Sequence, residues 1–151
     1  MLADVYTVRA ILAEKDRPDP LHVPPDLAVI QLLDILKEKN EEAALVMEGE
    51  RFLGIVTEND YARKGELKLK AANRITVAEI MTPAKKVISV GLFKSLEGVS
   101  ILMQENHIRH VPVIEGGELL GMISIWDVLR GIIHHQIFVG QQYLGAAGGP
   151  T

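Results

Sequence analysis

The sequence predicts an α/β (α+β) protein, a tandem pseudo-twofold pair of β-α-β-β-α units, each a small sheet with helices packed on one face. Three observations lead there. The chain repeats itself without a gap at an offset of 67 residues, Val23–Arg63 lying on Val90–Arg130. Each copy holds two apolar runs joined by a glycine turn, Glu48-Gly49-Glu50-Arg51 and Glu115-Gly116-Gly117-Glu118, the signature of a hairpin. Each hairpin is flanked by segments with helical apolar spacing. So small a sheet does not bury both faces alone, so the two repeats are expected to pack together and share one core.

In chain order, Thr7–Lys15 reads as a short amphipathic helix capped by Thr7, and Asp16–Pro20 breaks it. Leu21-His22-Val23 begins the first repeat as a strand. A helix starting at Pro24-Pro25-Asp26 carries Ile30, Leu33 and Leu36 on an apolar face to about Lys39. Ala43–Met47 and Phe52–Val56 form the hairpin, and a second helix runs from Asp60 to about Ala72. The linker 73–83 contains Val77–Pro83, read as a helical turn stopped by the proline. The second repeat replays the order: strand Lys86–Val90, helix Lys94–Asn106, strands Val111–Ile114 and Leu119–Ser124, helix Asp127–His135. The expected domains are 7–72 for the first repeat, 73–135 for the linker and second repeat, and 136–151 for a glycine-rich tail, partly disordered.

Composition narrows the function classes. With 48% hydrophobic and 24% charged residues, the 151-residue chain has a globular composition. No apolar run approaches a bilayer span, and the N-terminus carries no basic flank before an apolar segment, so the expectation is a soluble cytoplasmic protein with no membrane partner. The absence of cysteine rules out disulfides, a thiol nucleophile and thiolate metal sites. A net charge of −4, a pI near 5.7 and 5% aromatic residues argue against nucleic acid as a partner.

The residues that point to chemistry are Gly54-x-x-Thr57-x-x-Asp60 and its twin Gly121-x-x-Ser124-x-x-Asp127, each where a strand gives way to a helix. Thr-x-x-Asp and Ser-x-x-Asp resemble capping boxes, which satisfy free backbone N–H groups at a helix start. They also place a hydroxyl and a carboxylate one helical turn apart. A carboxylate that accepts two hydrogen bonds suits a vicinal diol such as a ribose, and the helix N-terminus suits a phosphate. Recurrence of glycine, hydroxyl and carboxylate together favours the second reading, because capping alone does not demand all three.

These motifs, with Ile108-Arg109-His110-Val111-Pro112-Val113 and the linker Glu79-Ile80-Met81-Thr82, resemble a pair of CBS domains, the Bateman module, from about Thr7 to Ile133. The resemblance implies a stand-alone regulatory sensor whose clefts between the repeats bind AMP, ADP, ATP, S-adenosylmethionine or NAD-type ligands, with no cofactor required. It implies that Asp60 and Asp127 hold ribose hydroxyls and that Thr57 and Ser124 contact the ribose or α-phosphate. The backbone around Val111 and Pro112 would line the adenine slot, with Thr82 nearby. A homodimer and a regulated protein acting in trans are implied as well.

Arg109 and His110 form a basic pair ahead of the second hairpin, suited to a phosphate; the plainer reading is a solvated turn. His107 and His110 lack the carboxylate or cysteine that would complete a metal site, and His134 and His135 face different sides of one helix. The first repeat has Glu42 and Ala43 in place of Arg109 and His110, Glu41 for Ile108 and Leu45 for Pro112, so unequal sites are expected, the second repeat's Asp127 being the stronger anchor. Arg63 and Arg130 recur three residues after each aspartate and read as surface ion pairs. Tyr61 and Val128 read as packing residues, and Trp126 either lies against a base or faces solvent or a partner.

Two other functions compete with the sensor. A nucleotide hydrolase would use His110 as base and Asp127 as its orienter, yet no motif supplies a nucleophile, metal set or phosphate loop. A structural dimerisation module would keep the motifs only as caps.

Overall fold

The computed structural model describes residues 6–15, 19–65 and 71–147. Contacts divide the chain into two compact units, Asp19–Ile88 and Met1–Pro18 with Ser89–Thr151. This division departs from the order of the repeats. The N-terminal helix packs with the second repeat, and the linker packs with the first.

In the unit Asp19–Ile88, β1 (His22–Val23) runs parallel to β2 (Ala43–Glu48), which pairs antiparallel with β3 (Arg51–Thr57). A short β4 (Thr82–Pro83) completes the sheet on the far edge of β3, in the order β1-β2-β3-β4. Helix α2 (Val29–Lys39) buries Val29, Leu32 and Leu36 against Val23, Ala44, Val46 and Val56. The linker closes this core with Ile75 and with Val77 and Ile80 of α4 (Val77–Ile80). It is fastened by backbone bonds from Val29 N–H to Ile75 O, 2.8 Å, and from Val77 N–H to Leu27 O, 2.8 Å.

In the other unit, α1 (Val8–Glu14) plays the part of the linker. Val8 and Ile11 join a core of Val90, Leu96, Val99, Met103, Val111, Val113, Ile123 and Val128. Val8 N–H donates to Lys94 O at 3.0 Å and Leu96 N–H to Tyr6 O at 3.1 Å. The hairpin β5 (His110–Glu115) and β6 (Glu118–Ser124) lies with α5 (Leu96–Asn106) and α6 (Ile125–Ala147). Each unit therefore has a core of its own, where the sequence predicts a single shared one.

The repeat holds at the level of backbone detail. Both hairpins carry a bulge at matching places, Val46/Met47 and Val113/Ile114, and both turn through a left-handed glycine, Gly49 (φ 62°) and Gly116 (φ 59°). Both α2 and α5 end on a non-glycine residue in the left-handed region, Asn40 (φ 55°) and His107 (φ 53°), whose N–H closes the last turn. Asparagine tolerates that conformation better than histidine. Replacing His107 by glycine is accordingly expected to raise the unfolding free energy by about 0.5–1 kcal/mol, and Asn40→Gly by less. Denaturant midpoints of the two variants check the order.

Several expectations need correction. No strand forms at Lys86–Val90: Lys86 ends a 3-10 turn (Ala84–Lys86), residues 87–89 have no regular structure, and Val90 makes a single parallel bridge to Val113. Pro83 lies in β4, and α4 ends at Ile80. Helix α2 begins at Val29, not at Pro24-Pro25-Asp26, because residues 25 and 26 form a turn. Thr7 makes no side-chain cap; its backbone bridges Ser95 instead. The helix after Asp60 is a short α3 (Glu58–Asp60) running into a π-helical turn, Tyr61–Gly65, and Ala72 is already in a turn. The remainder of that expected helix, 66–70, lies outside the described residues, as do 148–151 of the tail.

Within the described part of the tail, residues 136–147 are helical. Helix α6 continues through Ala147, beyond Ile132 and His135, which face inward; a glycine costs a long helix only about 1 kcal/mol. No helix among the described residues is long and apolar enough to cross a membrane.

Candidate functional site

Both carboxylates of interest sit at a turn that the sequence builds locally. β3 ends at Thr57, whose extended backbone (φ −130°, ψ 163°) aims its hydroxyl at the start of α3. Thr57 Oγ1 accepts from Asp60 N–H at 3.2 Å, and Asp60 Oδ2 accepts from Thr57 N–H at 2.8 Å. In the other unit Ser124 Oγ accepts from Asp127 N–H at 3.2 Å, and Asp127 Oδ2 accepts from Ser124 N–H at 2.8 Å. Both motifs are thus complete capping boxes. The hairpins fix the turns through one more matching bond, Glu58 N–H to Glu42 O at 3.2 Å and Ile125 N–H to Arg109 O at 2.8 Å.

The motif glycines have a packing role besides. Gly54 lies under Thr82 and Met81, so Thr82, which pairs with Ile55, shares the sheet with Thr57. Thr57, Asp60 and Thr82 therefore belong to one unit, at β3 and its edge. Arg109, His110, Val111, Pro112, Ser124 and Asp127 belong to the other. There the hairpin register sets His110 opposite Ser124, Val111 opposite Ile123 and Pro112 opposite Met122. Val111 and Pro112 are buried, and the Pro112 carbonyl accepts from Val90 N–H at 3.0 Å. Arg109 is exposed.

The two carboxylates differ in their cations, which sequence reasoning missed. Lys15, the residue after α1, donates to Asp127 Oδ2 at 3.0 Å and to Met122 O at 2.9 Å. Ser124 Oγ–H donates to the same carboxylate oxygen at 3.1 Å, and Arg130 lies 3.8 Å from Oδ1. The Asp127 side chain is only 8% exposed. Burial alone would raise its pKa, but the Ser124 N–H and Lys15, with the Ser124 hydroxyl, outweigh it and hold the carboxyl below 3.8. Asp60 is more open at 16% exposed, with Lys64 3.5 Å from Oδ1 and donating to Ile80 O at 3.0 Å. Lys64 stands four residues after Asp60, a spacing legible in the sequence; Lys15 has no such signal.

The load on Asp127 bears on the expected order of the two anchors. The carboxylate predicted to be the stronger is the more occupied one. Arg130 pairs weakly as expected, whereas Lys64 rather than Arg63 faces Asp60. Val128 and Tyr61 pack in their cores, and Trp126 is exposed. His107 is an exposed helix cap, and no three metal-ligating side chains come together among the described residues.

Comparison with known proteins follows the repeat. The CBS domain family profile matches residues 8–65 and 77–134. A CBS domain-containing protein of Arabidopsis thaliana, the mitochondrial CBSX3, is 34% identical over 112 residues, 72% of this chain and 54% of its own; the match therefore spans about half of that relative. A solved protein with CBS domains from Burkholderia ambifaria superposes with a TM-score of 0.79 at 38% identity, covering 85% of this chain and 94% of its own. CBSX2, solved in complex with AMP, superposes with a TM-score of 0.68 at 25% identity over 85% and 97% of the two chains.

Proposed function

The chain belongs to the CBS domain family, and from that premise we propose that it is a regulatory module that binds an adenosine-containing ligand through Asp60 and Asp127 and has no catalysis of its own. AMP, ADP, ATP, S-adenosylmethionine and NAD-type molecules share the group recognised, an adenosine with a free ribose diol. The observation that carries this reading is the recurrence of a half-closed carboxylate at a helix start, capped by a hydroxyl residue, at matching positions of both units. The AMP complex of CBSX2 supports it.

Thr57 and Ser124 hold their carboxylates in place, and Thr82, Val111 and Pro112 shape the neighbouring backbone. Arg109 and His110 supply positive charge or hydrogen-bond donors toward a phosphate. Ligand binding shifts the module toward the conformation it prefers, and a protein partner in trans reads that shift. The row Trp126, Leu129, Ile133 and Ile137, spaced three and four apart along α6 and exposed, supports a homodimer with this apolar face covered.

A thermal-shift panel with AMP, ADP, ATP, S-adenosylmethionine, NADH and a GTP control tests the reading. A ligand at a hundred times its Kd adds about 2.7 kcal/mol, raising the midpoint by about 5–10 °C. A shift with an adenosine ligand and none with GTP is expected. No shift with any of them would reduce both motifs to helix caps and leave the module working through its surfaces.

A further inference from the structure

The Asp127 carboxylate already has a resident cation, and the details of its seat suggest what it does. Oδ2 receives three donors, Ser124 N–H at 2.8 Å, Ser124 Oγ–H at 3.1 Å and Lys15 Nζ at 3.0 Å. A carboxylate oxygen offers about two lone-pair sites, so Oδ2 has no capacity left for a ligand hydroxyl. Oδ1 faces Arg130 at 3.8 Å, a contact too long for a hydrogen bond. In its present state Asp127 can thus accept a ligand only on Oδ1, and cannot grip a vicinal diol with both oxygens.

Lys15 has a second anchor that explains why it is there. Met122 lies opposite Pro112, whose carbonyl serves Val90 and so points away from β6. The Met122 carbonyl is satisfied by Lys15 at 2.9 Å. In the other unit the residue matching Met122 is Ile55, and there a strand does this work: Ile55 pairs with Thr82 of β4. Lys15 stands in place of that strand, at the end of a helix whose Leu12 rests on Gly121. Asp60, by contrast, is paired by Lys64 from its own helix at the longer distance of 3.5 Å.

We propose that Lys15 is a built-in competitor for Asp127: a ribose diol engages both carboxylate oxygens only when the ammonium leaves Oδ2, so filling this site breaks the tie between the C-terminal end of α1 and the start of α6. The proposal rests on the reading of Asp127 as a diol anchor. It makes the two sites unequal for a reason absent from their motifs. Asp60 accepts a ligand without displacing a residue distant in sequence, whereas Asp127 exchanges one for the other and reports the exchange to the N-terminal segment.

Calorimetric titration of the full chain with adenosine and with 2′,3′-dideoxyadenosine tests it in the parent, Lys15→Met and Lys15→Met/Asp127→Asn. Adenosine is expected to bind Lys15→Met at least about tenfold more tightly at an additional or strengthened site. That gain is expected to vanish with Asp127→Asn and to be absent for the dideoxy probe. Lys15→Gln, which retains a donor for Met122 O, is expected to behave alike and serves if the methionine variant does not fold. Equal or weaker adenosine binding in both Lys15 variants overturns the proposal. Should the parent bind through Asp60 while the Lys15 variants gain nothing, the proposal fails and the sensor reading stands. Should neither parent nor variants bind adenosine, both fail.

Discussion

Gly54→Ala is expected to lower the unfolding free energy by about 3 kcal/mol or more, whereas Gly121→Ala, at the matching position, costs less than about 1 kcal/mol. An alanine Cβ at Gly54 would run into the Thr82 backbone carbonyl oxygen, with the Thr82 carbonyl carbon at 3.1 Å and Met81 Sδ at 3.2 Å. That backbone cannot step aside without breaking the pairs Gly54–Pro83 and Ile55–Thr82, which hold β4 on the sheet. At Gly121 the Cβ would meet only the Leu12 side chain, with Cδ2 at 3.1 Å. Leu12 is half-buried and its terminal methyls can rotate away. Thermal unfolding separates the two: a fall of about 6–12 °C for Gly54→Ala against a few degrees for Gly121→Ala. Equal losses would mean that the linker and α1 are seated alike.

Asp127→Ala is expected to destabilise by about 2–4 kcal/mol, and Asp60→Ala by about 1 kcal/mol. Either change removes a capping box, worth about 1 kcal/mol. Only Asp127→Ala also strands a cation away from water, since Lys15 is 27% exposed whereas Lys64 is 43% exposed and open to solvent, each keeping one backbone carbonyl, Met122 O and Ile80 O. The effect has a definite pH dependence. The Asp127 pKa is lower folded than unfolded, so its contribution is complete above 3.8 and is lost as pH falls through the lower folded value. Urea unfolding of the parent and of Asp127→Asn checks this. The gap between them is expected to be widest near neutral pH and to close in acid below 3.8.

Much of the candidate site was legible because it is local. The boxes Thr57–Asp60 and Ser124–Asp127 close over three residues, so the spacing of a hydroxyl and a carboxylate at a strand end already implies both hydrogen bonds. Hairpin turns at Gly49 and Gly116 are likewise local, since a left-handed φ selects glycine. The last helix runs past its expected end at His135 because the glycines after it were weighed as breakers, although each costs a helix only about 1 kcal/mol. The linker strand was missed because Thr82-Pro83 has no strand pattern of its own; it is a strand only because β3 offers an edge beside Gly54.

The sequence by itself determined the repeat, the mixed helix-and-hairpin architecture, the capped carboxylates and the family they signal. Each follows from spacing within a few residues or from the recurrence of that spacing. The tertiary structure alone decided that α1 closes the core around the second hairpin and that residues 75–80 close the core around the first. It alone brought Lys15 to Asp127 across 112 residues of chain. Local spacing sets which groups a turn can offer, but which distant segment satisfies a buried carbonyl or carboxylate depends on packing that no sequence interval encodes.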